Sequence, residues 1–384
     1  MRYFLLTILL MAATLLEASA ATTAGMEDED KQTASGQQSD MAALIAKLPK
    51  ISGYLQTGWN YSTAGEGTSS FQAKRLRLIA DGTVTPKLAF RLQIEAFNGI
   101  PGSLTPNGQK NLQVMDAFAT YTFNPAFKVR AGQYYLPLGY ENYDISPATL
   151  ETVDFSNIVY RMVCRNPYEY NFVDYGRDLG VMIMGDLFPS QEGFNHLSYD
   201  LSVSNGSLPM KDDPNKSKDI VAAITVRPIK FLNIKASHGW GEYTHTEVDE
   251  DGNEYRSLYN TMNRTILGAW YNDPDGIFAR TEYGFLKGED KMFDERGFYV
   301  IAGYNIQAKC GKFLPMVRYD RYEDKVLQTS VNNYDRILAG LTFQPFPNLK
   351  IQLNYQHGFY SDKAADAIGK DGYDQVQLMG LFKF

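Results

Sequence analysis

The stretch 88–97, LAFRLQIEAF, decides the fold class because apolar and polar side chains alternate along it. An extended strand points successive side chains to opposite faces. One face carries the apolar residues from Phe90 to Ala96, and the other carries Arg91, Gln93 and Glu95. This period of two predicts a β-strand with one apolar surface and one surface that faces water.

The same alternation recurs along most of the chain. It is present at 197–204, at 349–356 and in the C-terminal apolar row that ends with Phe382 and Phe384. About sixteen such segments can be counted, each of roughly nine to twelve residues, which is long enough to span a bilayer when tilted. Their centres lie at 51–61, 71–83, 88–97, 112–123, 127–135, 178–187, 197–205, 219–227, 231–240, 263–272, 277–286, 297–307, 313–321, 334–343, 349–358 and 374–384.

The connections between these segments alternate in length. Tight links are expected at 85–87, 124–126, 227–229, 273–276, 309–311 and 345–348. Longer polar links are expected at 98–110, 136–177, 206–218, 241–257 and 359–373. The link 187–196 falls where a tight link is expected, but it is longer than the other tight links. Outer-membrane barrels have short periplasmic turns and long external loops, whereas a soluble β-sandwich has no reason to sort its links by length.

Lipid offers no hydrogen-bond partners, so a sheet in a bilayer must close on itself and leave no free edge. The sequence therefore predicts an all-β protein, a 16-stranded antiparallel transmembrane β-barrel. A barrel of this size leaves an aqueous channel through its middle, which indicates a pore for small solutes. An even strand number also places both termini in the periplasm.

The N-terminus predicts export. A basic start at Met1-Arg2, an apolar run from Tyr3 to Leu16 and the small residues around Ala20 are typical of a secretory signal peptide that is cleaved near Ala20. We therefore expect a signal peptide at 1–20, a flexible periplasmic leader at 21–49 and the barrel domain at 50–384 in the bacterial outer membrane. This polar leader has little apolar surface to bury.

Composition excludes several classes of partner. The formal net charge of -7 is spread along the 384 residues without a basic tail, so nucleic acid is not an expected partner. We expect no metal or cofactor, because no Cys- or His-rich ligand pattern is present. Cys164 and Cys310 are expected on opposite sides of the membrane, and therefore as free thiols.

Cationic side chains gather on the predicted inward face of the second to fifth strands. A cationic wall in a narrow passage attracts anions and repels cations, so this face predicts an anion-preferring channel. Some of these charges can instead pair with acids, and Arg91 with Glu95 is such a candidate pair. The inward cations are Arg75, Arg77, Arg91, Lys128 and Arg130, against the acids Glu95 and Asp116.

The longest link, 136–177, is expected to fold into the barrel as its third loop and to form the constriction, because long loops in compact domains are usually functional. If its acids face the basic wall, selectivity is weak. If Arg161 and Arg165 face that wall, anion preference sharpens, and the sequence leaves both arrangements open. The constriction acids are Glu141, Asp144, Glu151 and Asp154.

Four short motifs in order resemble the phosphate-selective porin O/P family. They are FQAKRLRL at 71–78, DAF at 116–118, VRAGQ at 129–133 and PLGYE at 137–141. The resemblance implies a sixteen-stranded barrel, a homotrimer, an inward-folded third loop and basic residues that guide phosphate or polyphosphate. It also implies that Phe382 and Phe384 form the signal read by the barrel-assembly machinery. Members of this family have a strongly basic channel, whereas this chain is acidic, with a pI of about 5.3.

Three alternatives remain open. The closest is a general or cation-preferring porin. A barrel enzyme is not expected, because no G-x-S-x-G motif flags a nucleophile and Ser237 would point away from its neighbour His238. A non-pore adhesin with a filled lumen would show no conductance in a planar bilayer.

Overall fold

The computed structural model describes residues 48–96, 112–163, 176–206, 216–248, 254–288 and 293–384. The predicted signal peptide, nearly all of the predicted leader, Cys164 and Arg165 lie outside these ranges. Among the described residues, no helix is both long and apolar enough to cross a membrane.

Strands dominate the described chain, and only short helices interrupt them. The strands are β1 (Lys50–Ser62), β2 (Thr68–Thr85), β3 (Leu88–Glu95), β4 (Gln113–Asn124), β5 (Phe127–Tyr135), β6 (Arg177–Pro189), β7 (Asn195–Ser204), β8 (Asp219–Ile229), β9 (Leu232–Trp240), β10 (Glu242–Val248), β11 (Glu254–Thr261), β12 (Asn263–Asn272), β13 (Ile277–Lys287), β14 (Asp294–Tyr304), β15 (Ile306–Ala308), β16 (Gly311–Asp324), β17 (Tyr334–Phe346), β18 (Leu349–Tyr360) and β19 (Gly372–Lys383). The helices are α1 (Tyr140–Tyr143), a π-helix (Ile158–Val163) and α2 (Asp362–Ile368).

The main sheet is a closed antiparallel barrel of sixteen strands, as the alternation predicted. Each barrel strand pairs with its neighbour along the chain, β9 pairs with β12, and β1 pairs with both β2 and β19. The short β15 continues β14 along the same partner, β16, so the two count as one barrel strand. Closure therefore removes the free edge that lipid would leave unpaired.

Alternating burial separates the two faces of the barrel. On the outward face, apolar side chains such as Val181, Leu267 and Val317 are exposed. On the inward face, charged side chains such as Lys235 and Arg318 are almost completely buried. An apolar exterior around a polar interior is the arrangement that a barrel in a bilayer requires.

The links between strands largely follow the predicted alternation of lengths. The link 187–196 shortens to 190–194, because β6 extends to Pro189 and β7 begins at Asn195. The predicted loop 241–257 is not only a loop, since β10 and β11 form a separate two-stranded sheet there. Cys310 is exposed in the short turn between β15 and β16.

An apolar cluster lies against the inward face of the barrel. Its members come from the third loop, which we define as residues 136–176, from the strands β8, β12, β13, β14 and β16, and from the positions just before β12 and β14. They are Leu136, Leu138, Ile158, Met162, Val163, Val221, Met262, Ile266, Phe278, Leu286, Phe293, Tyr299, Ile301, Leu314, Met316 and Tyr322. Packing of this kind holds a segment by burying apolar surface on both sides.

Candidate functional site

The third loop leaves β5 and at once contacts the wall opposite. Gly139 adopts a φ of +69°, and its N–H donates to the Ser237 hydroxyl at 2.9 Å. A Cβ at Gly139 would lie 2.9 Å from the Glu282 carboxylate, so the close approach favours glycine. The next N–H, that of Tyr140, donates to the same carboxylate at 2.6 Å.

All four predicted constriction acids form ion pairs with cations of the barrel wall. Arg280 on β13 contacts two of them, and Lys235 on β9 and Lys74 on β2 contact one each. The pairs are Glu141–Arg280 at 3.2 Å, Glu151–Arg280 at 3.0 Å, Asp144–Lys235 at 2.6 Å and Asp154–Lys74. Each of these loop acids is therefore paired with a wall cation, although Glu141 and Glu151 share Arg280.

Asp154 in the third loop contacts side chains from two strands, β2 and β19. Its carboxylate accepts hydrogen bonds from the Gln377 amide at 2.7 Å and the Tyr160 hydroxyl at 3.0 Å, besides the Lys74 ammonium. Burial acts to raise the pKa of the Asp154 carboxyl, but the Lys74 charge and these donors outweigh burial and lower the pKa below its usual range. The carboxylate is therefore held in its ionised form.

The backbone of 150–155 is held by side chains of the adjoining wall. Arg318 donates to the carbonyl oxygens of Asp154 and Phe155, each at 3.2 Å. Lys350 donates to the Leu150 carbonyl at 2.7 Å. Further donors come from Thr342 and Gln352, and Asn354 accepts the Val153 N–H. Strands β16, β17 and β18 thus satisfy backbone groups that would otherwise be buried without partners.

Three of the five cations predicted on the inward face of the second to fifth strands have acidic partners. Ion pairs join Arg77 to Glu95 at 2.6 Å, Arg91 to Asp81 at 2.7 Å and Lys128 to Asp186 at 2.7 Å. Arg161, in the π-helix of the third loop, donates to the Asn332 side chain, and Arg165 lies outside the described residues.

Arg75 and Arg130 differ from the other predicted cations. Within the described ranges, neither has a carboxylate at salt-bridge distance. Arg75 is buried and donates to the Gln56 side chain at 2.5 Å and to the Val153 carbonyl at 3.4 Å. Arg130 is partly exposed, and its Nε donates to the Thr120 hydroxyl at 3.1 Å.

The suggested pair of Arg91 with Glu95 is wrong. Four residues along a strand span about 13 Å, whereas directly opposed residues on neighbouring strands lie about 5 Å apart. The register between β2 and β3 sets Arg91 opposite Asp81 and Glu95 opposite Arg77, so each acid pairs across the sheet.

Lys74 is a site residue that the alternation missed. If the alternation were strict, Arg75 would point inward and the adjacent Lys74 would point outward. However, β2 has a bulge at this point: Arg75 opposes Gln56 and Ala73 opposes Thr57, which leaves Lys74 as the extra residue. Lys74 and Arg75 are therefore both buried on the inside. No residue type in this stretch signals the bulge.

An open cavity of about 480 Å³ adjoins the wall formed by β2 to β5, towards the barrel end with the short turns. We call it the Arg130 cavity. Its lining includes Asp81, Arg91, Asp116, Phe118, Thr120, Arg130 and Tyr135 on the strands and Tyr143 from the third loop. Asp116 is paired with Arg177 at 2.6 Å, so the cavity holds two neutralised ion pairs and one cation without a carboxylate.

The described residues contain no group of three or more His, Cys, Asp and Glu side chains arranged to hold a metal ion. His238 bonds the Thr265 hydroxyl, and His357 bonds Asp374. Among the hydrogen bonds of the described residues, none joins either histidine to a serine.

Sequence comparison finds one family over this region. The family described as phosphate-selective porin O and P matches residues 54–252. An uncharacterized protein of Aquifex aeolicus is 28% identical over 118 residues, which cover 30% of this chain and only 28% of that relative. A second uncharacterized Aquifex aeolicus protein is 23% identical over 358 residues, covering 83% of this chain and 78% of the relative.

Structural comparison finds outer-membrane barrels of similar fold. Salmonella typhi OmpF, solved in complex with daunomycin, has a TM-score of 0.63 at 14% identity. The anion-selective porin from Comamonas acidovorans has a TM-score of 0.58 at 13% identity, and OmpT of Vibrio cholerae in a trimer form has 0.54 at 13%. Each similarity covers 88% of this chain and 99% of the solved chain.

Proposed function

The chain belongs to the phosphate-selective porin O and P family, and from this premise we propose that it is an anion-preferring diffusion channel. Its family and its closed sixteen-stranded barrel identify it as a bacterial outer-membrane channel protein, and point away from an enzyme. The preference for anions, the constriction and the assembly state are the finer parts of the proposal.

The observation that carries the anion preference is the position of Arg130. It is the one cation lining the Arg130 cavity that lacks a carboxylate partner among the described residues, whereas Arg91 and Asp116 are each neutralised. An unneutralised cation in a confined passage with low-dielectric walls raises the local concentration of anions. This charge therefore favours anions over cations at the cavity.

The third loop is proposed to form the constriction. Its described part, 136–163, contacts inward side chains on β2, β9, β13 and β16 to β18, which supports a fixed obstruction rather than a mobile lid. The pairing of its four acids with the three wall cations Arg280, Lys235 and Lys74 also supports anion preference, because it offsets most of the negative charge that would repel anions.

A general or cation-preferring porin is the second candidate. The observation in its favour is Asp200 on β7. Among the described residues, its carboxylate accepts a hydrogen bond only from the Tyr143 hydroxyl, at 2.9 Å. The charge of Asp200 faces the same interior as Arg130. A measurement of the reversal potential decides whether Asp200 or Arg130 sets the selectivity.

The remaining parts of the proposal follow from the family. Homotrimer assembly is supported by the trimer form of a similar barrel. Phosphate is proposed as one permeant anion, and Phe382 with Phe384 as the signal for the barrel-assembly machinery. Export is proposed to remove residues 1–20.

The test of anion preference is the zero-current potential of the purified protein in a planar bilayer under a potassium chloride gradient. We expect an anion-preferring potential that moves towards cation preference in Arg130→Glu, because the substitution inverts the unneutralised charge. Arg296→Glu, an equal charge change on the exposed outward face of β14, serves as the control and should leave the potential unchanged. A cation-preferring wild type, or an unchanged Arg130→Glu potential, would contradict the proposal.

A further inference from the structure

We propose that the Arg130 cavity is a binding subsite for organic anions that carry a flat ring, with aromatic carboxylates as the ligand class. This inference rests on the proposed anion channel and names a solute that the cavity would hold as it passes. It differs from a site for compact inorganic anions such as phosphate in the groups that the cavity offers.

The cavity offers a single available cation. The terminal nitrogens of Arg130 make no hydrogen bond to another described residue, since only its Nε is used, by Thr120. A guanidinium with both terminal nitrogens available can hold one carboxylate through two parallel hydrogen bonds. By contrast, Arg91 is already bound to both oxygens of Asp81, at 2.7 Å and 3.0 Å.

Aromatic rings line the cavity that contains this cation. The Arg130 guanidinium carbon lies 4.2 Å from the centre of the Phe118 ring, and Tyr135 and Tyr143 also line the cavity. The Tyr143 ring is fixed, because its hydroxyl donates to Asp200 at 2.9 Å while the Lys235 ammonium lies 4.4 Å from the ring centre. Aromatic faces of this kind attract a planar ring by stacking or by edge contact.

The backbone makes room for this arrangement. Phe118 on β4 lies directly opposite Gly132 on β5, which has no side chain. A Cβ at Gly132 would lie 2.2 Å from the Ala117 carbonyl oxygen and 2.7 Å from the Phe118 Cα, so no larger residue fits there. Phe118 and Arg130 therefore share the space above Gly132 on the inward face.

The size and lining of the cavity also fit a ring-bearing solute. Its volume of about 480 Å³ is far larger than the roughly 30 Å³ that one water molecule occupies. Small-molecule sites of this volume combine apolar or aromatic walls with a few fixed polar groups. A compact anion needs several donors to replace its water, and the described lining offers it mainly the terminal nitrogens of Arg130 and the hydroxyls of Thr120 and Tyr135.

The experiment measures how strongly benzoate and acetate reduce the chloride current through single channels. Both carry one carboxylate, and only benzoate carries a ring. For the wild type we expect saturable reduction by benzoate at concentrations about fivefold below those of acetate, a factor within the range of one aromatic contact. Equal potency of the two anions would overturn the inference.

Two variants test the ring contact. Phe118→Leu keeps the apolar bulk but removes the ring, and should abolish the preference for benzoate over acetate. Phe118→Tyr keeps a ring and should retain it. Preference unchanged in Phe118→Leu would also overturn the inference. The zero-current potential in chloride reports separately on the proposed function: if it remains anion-preferring while benzoate shows no preference, only the ring subsite has failed.

Discussion

Arg77 and Arg130 project into the same interior from β2 and β5, yet their charges have different consequences. Arg77 is buried against Glu95, so the pair contributes a dipole and little net charge to the lumen. Arg130 is partly exposed and has Thr120 and Phe118 beside it rather than an acid. The field in the channel therefore depends on what lies opposite each arginine, and not on how many arginines face inward.

The Lys74–Asp154 pair connects the third loop to β2, and Asp154→Asn tests it. Removal of the carboxylate charge leaves Lys74 buried without its ion partner, which should weaken the attachment by roughly 3 kcal/mol, the lower end of the cost for a buried pair. We expect faster amide exchange over 150–163 and a zero-current potential shifted further towards anions, because Lys74 is no longer neutralised.

Asp366→Asn is the matched control for that substitution. Asp366 is exposed on α2, and its loss of charge should change neither exchange nor potential. Protection over 150–163 that stays at the wild-type level in Asp154→Asn would show that the ion pair does not hold the loop.

At the scale of elements, the π-helix Ile158–Val163 fits into a notch in the wall. Gly284 on β13 and Gly297 on β14 lie directly opposite each other in the register. A Cβ at Gly284 would lie 2.7 Å from the Met162 sulfur, and one at Gly297 would lie 2.9 Å from a methylene carbon of Ile158. The absence of two side chains therefore lets the helix approach the wall closely.

Gly297→Val should push the π-helix away from β14. A larger side chain in a packed contact usually costs about 1–3 kcal/mol, and the helix can relieve it only by moving towards the open side of the lumen. We expect a lower single-channel conductance, measured in planar bilayers. Gly380→Val on β19 is the control, because the nearest atom to its added Cβ is 3.8 Å away. Equal conductance in both variants would argue against the notch.

At the scale of the whole molecule, the pairing of β1 with β19 completes the barrel. The backbone of Phe384 exchanges two hydrogen bonds with Gly53, of 2.9 Å and 3.0 Å, beyond the last paired residue of β19. The terminal residue is thus part of the seam between β1 and β19. Its ring is exposed, as the proposed assembly signal requires.

Phe384→Ala separates these two roles. The substitution keeps the backbone hydrogen bonds, so protein refolded in detergent should still migrate as a compact unheated species on gels. In cells, we expect much less assembled protein in the outer membrane, because the terminal ring is the proposed signal. Phe346→Ala, which removes an equally exposed aromatic ring from the end of β17, should assemble normally. Normal assembly of Phe384→Ala would contradict the signal role.

The fold was largely predictable because a β-sheet in lipid must close on itself and carry apolar side chains on its outer face. The inward and outward sets predicted for 349–356 are the buried and exposed sets observed on β18. The hairpin of β10 and β11 was missed, because it lies beyond the alternating pattern of the barrel. The roles of the predicted anion-guiding residues and of the third loop as a constriction stay predictions.

The sequence by itself determined the barrel, its strand number and the inward face, since a period of two sorts side chains between lipid and water without any knowledge of distant partners. Only the tertiary structure decided which charges are neutralised. Arg91 meets Asp81, Lys74 turns inward at a bulge, and Glu141 meets Arg280 through contacts set by register and by the path of the third loop. Ion pairing depends on distances of a few ångströms between residues far apart in the chain, and local alternation carries no information about them.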